Sequence, residues 1–240
     1  RLPFLACWQF FEVKMIKIGN CGIGINSVAG ILHYGLDAYD EILFSDTGSE
    51  KPETYEYLKF LNEEKKWNIT IINDHYGKSL YDYYFEKWTI PRMKFRDCTG
   101  KFKISPIKRY LRKKYGKKET FDCDIFIDYG EYHRMKTSDV KYQILSYPLV
   151  MDKIDRNQCI KIIKDAGYPI PMKSGCFMCP FNNKASWTNL KMNHPDLFDK
   201  SLQLEKRALY DKKGNRKRKM EPLVKLKGKE SQDLFQCNCF

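Results

Sequence analysis

Short β-branched and aliphatic runs alternate with stretches of helical period along the first two thirds of the chain. Val13–Ile18 reads as a strand, followed by the turn Asn20-Cys21-Gly22-Ile23-Gly24-Ile25-Asn26-Ser27 and a helix over Ser27–Tyr34 closed by Gly35. Glu41–Ser45 reads as a second strand. Lys51–Trp67 has a helical period, with Pro52 in its first turn and Glu53 and Glu56 near its positive end. Asn68–Ile72 is a third strand. Asp74–Thr99 looks irregular around the aromatic segment Tyr81–Trp88, and Ser105–Tyr115 follows as a basic amphipathic helix. Cys123–Asp128 is a strand whose Ile125, Phe126 and Ile127 run apolar without alternation, as in a sheet covered on both sides. Asp155–Ala166 is a helix capped by Asp155 and stopped by Gly167, and another lies near Lys184–Met192. Strands and helices alternating at this spacing predict an α/β fold, an open, mostly parallel twisted sheet with helices on both faces. A small Cys-bearing helical part follows it.

The expected divisions are an extension over 1–14, a sheet-bearing α/β domain over 15–150, a helical and CxxC segment over 151–205 packed on it, and a basic tail over 206–240. Arg1–Phe11 is apolar but short, with one basic residue and no small-residue cleavage site, so it does not read as a signal peptide.

Charge changes the picture at one end only. The 240 residues carry 43 Lys+Arg against 30 Asp+Glu, a net charge of +13. Between Lys206 and Lys229 stand eleven basic residues and two acids, so that window alone holds +9 of the excess. Such a block fits an anionic partner, RNA or DNA, through Arg216, Lys217, Arg218 and Lys219, and equally fits a solvated tail. No apolar run approaches the roughly 20 residues of a membrane span. Nine cysteines without a secreted-scaffold spacing point to a reducing, cytoplasmic setting with metal or redox use.

Two turns follow strands. Gly22–Ser27 at a helix start presents backbone N–H groups and the positive helix end, a setting for phosphate. Ser45-Asp46-Thr47-Gly48 follows the second strand. In an open parallel sheet both turns fall on the carboxyl edge, where ligands bind. Cys176 and Cys179 have a chelating spacing, whereas Cys7, Cys21, Cys123 and Cys159 read as small core residues. Gly130-Glu131-Tyr132-His133-Arg134 follows the strand ending at Asp128, again at that edge. His133 reads as a surface histidine, and His33, His75 and His194 have no ligand spacing.

These blocks together resemble the PP-loop superfamily, and within it the phosphoadenosine phosphosulfate (PAPS) reductase, or adenine nucleotide alpha hydrolase-like, family. Gly22–Ser27 occupies the place of its S-G-G-x-D-S loop, with Ile23 for a Gly and Asn26 for an Asp. Asp46-Thr47-Gly48 with Pro52-Glu53-Thr54 reproduces D-T-G-x-x-x-P-E-T. Cys98-Thr99, Lys103 and Pro106 match C-T-x-x-x-K-x-x-P, and the likeness runs from about Met15 to Leu197 through Tyr147-Pro148-Leu149 and Lys173–Pro180.

The resemblance implies an adenine nucleotide held by Gly22, Gly24, Asn26, Ser27, Ser45, Asp46, Thr47 and Gly48. Asn26, Ser27, Lys103 and Arg134 are the implied catalytic residues, with ATP and Mg²⁺ as cofactors. It makes Cys98 the partner of Cys176 and Cys179, with Cys237 or Cys239 as fourth ligand, for a [4Fe-4S] cluster, zinc or no metal. The implied activity is cleavage of ATP between the α and β phosphates to adenylate an acceptor for sulfur transfer, on nucleic acid in one version. The alternatives are a sulfonucleotide reductase using a tail cysteine, and a nucleotide- or nucleic-acid-binding protein without turnover. A homodimer is compatible with each.

Overall fold

The computed structural model describes residues 15–73, 77–210 and 212–215. Five strands form one parallel sheet in the order β3-β2-β1-β4-β5: β1 (Ile16–Asn20), β2 (Glu41–Ser45), β3 (Thr70–Ile72), β4 (Phe121–Ile125) and β5 (Gln143–Ser146). The chain steps outward from β1 to β3 on one side, then returns to lay β4 and β5 on the other. The direction therefore reverses between β1 and β4, which opens a crevice at their carboxyl ends.

Helix α1 (Ile25–Tyr34) follows β1 and packs beside α7 (Arg156–Asp165). Its closeness to the sheet depends on Gly30: a Cβ there would sit 2.2 Å from the Phe126 ring. The core on this side also takes residues from α2 (Pro52–Lys59), including Leu58, and Trp67 and Cys159. The other face is covered by α5 (Ser105–Tyr115), whose Ile107 and Leu111 meet Ile18, Leu43 and Phe121. At the amino end of β2, buried Glu41 accepts hydrogen bonds from Tyr110, Lys114 and Tyr115 of α5 and Thr70 of β3. One carboxylate thereby ties α5 to two strands.

A third apolar cluster lies beyond the sheet. It joins α3 (Leu80–Glu86), the Cys-bearing loop, α8 (Lys184–Asn193) and α9 (Pro195–Ala208) around Trp187. The short α4 (Asp97–Thr99) leads through a π-helical turn at Gly100–Ile104 into α5, and α6 (Pro148–Met151) follows β5.

Several boundaries differ from the sequence reading. The helix expected over Lys51–Trp67 is regular only to Lys59. It continues as a π-helical turn, Phe60–Glu64, and stops where Lys66 and Asn68 turn left-handed. The strand expected at Cys123–Asp128 begins at Phe121 and ends at Ile125, so Phe126 and Ile127 bury their side chains outside the ladder. β5 was not expected: four residues at a sheet edge carry no alternation to read. Part of the region read as irregular forms α3, capped by Ser79. α9 extends through Ala208, so Lys206 and Arg207, assigned from sequence to the tail, stand on a helix. The Arg207 guanidinium lies 4.2 Å over Phe85 and 3.8 Å over Trp88. Residues 1–14 and His75, and with them Cys7, lie outside the described residues, as do Arg216, Lys217, Arg218, Lys219, Cys237 and Cys239. Among the described residues no helix is long and apolar enough to cross a membrane.

Candidate nucleotide site at the carboxyl edge

The turn after β1 closes on itself. Gly24 is the N-cap of α1, and Ser27 Oγ accepts its N–H at 3.2 Å while donating to its carbonyl at 3.0 Å. That ring leaves the first-turn N–H groups of α1 without intrahelical acceptors, at the positive helix end. Ile23, 1% exposed, adopts φ 55°, a left-handed conformation that is costly for a β-branched residue. Glycine stands at this place in the resembled family. Here the buried side chain, in the core beside Cys21 and Val28, offsets the strain. At Gly24 a Cβ would stand 2.9 Å from Ser174 Oγ, so that hydroxyl would have to turn aside to admit a side chain. The loop before Cys176 therefore roofs the turn.

Asn26 is 1% exposed and fully engaged. Its Nδ2 donates to Asp128 Oδ2 at 3.0 Å and lies 3.5 Å from Glu131 Oε2, while its Oδ1 accepts from Arg156 Nη1 at 2.8 Å. Glu131 also pairs with Arg134 at 2.6 Å. The sequence pointed to Asn26 and Arg134. Asp128 was noted only as a strand end, and Arg156 was missed. The resemblance reached neither, because the contact with Arg156 spans 130 positions.

The turn after β2 is equally built. Asp46 accepts from Gly48 N–H at 2.8 Å and from Tyr55 at 2.7 Å, which fixes Gly48 at φ 63°. Asp46 thus shapes the turn. Ser45 Oγ donates to the Phe102 carbonyl. Beneath the turn a buried knot gathers on Glu50 Oε1: Thr47 Oγ1 donates at 3.0 Å, Lys103 Nζ lies at 3.4 Å, and the Cys176 thiol donates at 3.6 Å. Thr47 Oγ1 is also 3.4 Å from Cys176 Sγ, and Glu50 and Cys176 form a β-bridge. Lys103 is expected from sequence to face phosphate, yet it is 7% exposed and paired to Glu50, a partner the sequence reading did not weigh. Beside this knot Lys51 is partly buried. Burial first, then the neighbouring charge of Lys173, hold its ammonium below the ordinary lysine range.

The cysteines divide into two groups. Cys21, Cys123 and Cys159 are buried, and burial pushes their thiols up to about 11, 11 and 12. Cys98, Cys176 and Cys179 belong to or pack against the one apolar cluster around Trp187, so the topology brings these sequence-distant residues into one region. They do not form a ligand set as they stand. Cys176 directs its thiol proton to a carboxylate, and among the described residues no three His, Cys, Asp or Glu side chains are grouped to hold a metal ion.

Comparison with known proteins bears on this edge of the sheet. Residues 20–121, from the end of β1 to the start of β4, match the family model of the phosphoadenosine phosphosulfate reductase domain. An uncharacterized protein of Methanocaldococcus jannaschii is 30% identical over 183 residues, covering 71% of this chain and 43% of that protein. The chain therefore spans less than half the length of that curated relative. A solved phosphoadenylyl-sulfate (PAPS) reductase from Candida auris, in a phosphate complex, aligns over 66% of this chain and 76% of its own. Its sequence identity is 13% and its TM-score 0.49.

Proposed function

Since residues 20–121 match the family model of the phosphoadenosine phosphosulfate reductase domain, we propose that the chain binds ATP at the β1 turn and cleaves it between the α and β phosphates. The observation that carries this reading is the closed Gly24–Ser27 ring at the start of α1, at the β1/β4 reversal. Pyrophosphate sits there, against N–H groups already fixed before the ligand arrives, so little reorganisation opposes charge building up on the leaving group. An acceptor carbonyl oxygen attacks the α phosphorus, the bond to the β-phosphate oxygen breaks, and pyrophosphate leaves with the electron pair. A sulfur nucleophile then displaces AMP from the adenylated acceptor.

Ser27 and Gly24 hold the turn, and Gly22 and Asn26 complete it. Asp46, Thr47 and Gly48 give the second turn its shape for the nucleoside, beside Ser45. Lys103 acts from beneath by fixing Glu50, and Arg134 stands by the phosphates with Glu131. Mg²⁺ arrives with ATP as part of the substrate. Sulfur delivery draws on the Cys98, Cys176 and Cys179 region as thiols, and a nucleic-acid acceptor suits the excess of positive charge in the sequence.

The test is ATP binding by calorimetry and pyrophosphate release, with and without RNA. Ser27→Ala and Gly24→Val should each weaken ATP strongly, the second because its side chain enters both the phosphate approach and the space of Ser174. Unchanged affinity in both would remove ATP from this turn.

A further inference from the structure

We infer that Arg156 is a phosphate-binding residue of the β1 turn, aimed there by Asn26; the inference rests on the nucleotide reading above. Arg156 opens α7 directly after its cap, but the cap does not hold it: the Asp155 carboxylate accepts from Gln158 N–H at 2.8 Å. The guanidinium donates once, through Nη1, to Asn26 Oδ1. Among the described residues it makes no other hydrogen bond and no ion pair. Five N–H donors in a planar fork are built for bidentate oxyanion recognition, and only one is committed, to a neutral amide.

The surroundings make that economy informative. Two carboxylates, Asp128 and Glu131, meet the other end of the same amide. The short side-chain amide of asparagine presents an acceptor to a guanidinium and a donor to a carboxylate from one planar group. It therefore keeps cation and acids apart. An aspartate at 26 would neutralise Arg156 directly and repel Asp128, and an aliphatic residue would let go of both. As it stands, Asn26 fixes a full positive charge beside the second residue of α1. The charge reinforces the helix end at the point where pyrophosphate leaves. The ligand class is a phosphate oxyanion, either inorganic pyrophosphate or the β and γ phosphates of a nucleotide.

The experiment is calorimetric titration of the full chain with pyrophosphate, ATP and adenosine, each variant first checked by thermal melting. Arg156→Gln should weaken pyrophosphate and ATP by at least about tenfold, the scale of one lost charged hydrogen bond. Its affinity for adenosine should stay unchanged. Arg156→Lys, which keeps charge but not the fork, should fall between. Lys161→Gln, on the same helix and paired to Asp165, should change nothing. Equal weakening of adenosine and ATP, or no change in either, overturns the inference. If pyrophosphate binding depends on Arg156 while ATP is neither bound nor cleaved, the inference stands and the ATP reading falls. If the wild-type protein binds none of the three ligands, both fall.

Discussion

Gly30→Ala isolates the contact that sets how closely α1 approaches the sheet. The added methyl would start 2.2 Å and 2.5 Å from two carbons of the Phe126 ring, and that ring is buried, only 4% exposed. Alanine favours a helix interior over glycine by about 1 kcal/mol. Overpacking a filled core costs about 1–3 kcal/mol, and a contact this short belongs at the upper end. The net expectation is a loss of about 1–2 kcal/mol, opposite in sign to helix propensity alone. Phe126 leads through Ile127 to Asp128, which holds Asn26, so displacement of α1 should also weaken ATP. Phe126→Leu makes room for the methyl. The double variant should be more stable than the sum of the singles predicts, by roughly 1 kcal/mol of coupling. Urea unfolding followed by circular dichroism measures all four proteins. A Gly30→Ala protein as stable as the parent, or strict additivity with Phe126→Leu, would refute the packing argument.

Glu41→Gln tests the amino edge. Burial alone would raise the Glu41 carboxyl, but the hydrogen bonds from Tyr110, Lys114, Tyr115 and Thr70 outweigh it and hold it below the ordinary range. A depressed carboxyl stabilises the fold above its unfolded pKa of about 4.3, and that contribution disappears as pH falls through the folded value. The stability gap between parent and Glu41→Gln should therefore be wide at neutral pH and close in acid; a gap constant from pH to pH in urea melts would contradict this. Brief iodoacetamide treatment of the native protein, mapped by mass spectrometry, should modify Cys98 and Cys179 well before Cys21, Cys123 and Cys159. Burial keeps the latter three protonated and covered. Early labelling of Cys159 would show that α1 and α7 are not packed as described.

The parallel sheet was legible because each apolar run ended at a turn rich in glycine or capping residues. The two ligand-edge turns followed from strand ends alone. α9 was not read as a separate helix, although Leu197, Phe198, Leu204 and Ala208 join one apolar cluster; the charge block that opens at Lys206 placed its end in the tail. What the sequence could not disclose were partnerships made by topology. Glu50 with Lys103, Asn26 with Arg156 and Glu41 with α5 each join segments far apart along the chain. Nothing local in composition marks a glutamate as destined for a lysine more than fifty positions on. Lys103 illustrates the consequence: the sequence marks its type, and only the fold shows that it is buried and lies 3.4 Å from Glu50. The reversed case is Ile23, where a residue unsuited to φ 55° is kept in place by an apolar cluster most of whose members lie outside the turn.

The roof that Ser174 places over Gly24, and the bridge from Cys176 to Glu50, have a consequence for the order of synthesis. A chain made from its amino end displays the β1 turn early, but Arg156, Ser174 and Cys176 reach the ribosome exit much later. Until they arrive, the Lys103–Glu50 pair lacks its thiol cover and Asn26 lacks its cation. Nascent chains halted before residue 156 should therefore hold the sheet's first strands without a finished anion site. Under the function proposed above, nucleotide would stabilise the molecule only at the last stage of its assembly, as a seal on the completed fold and not as a nucleus for it.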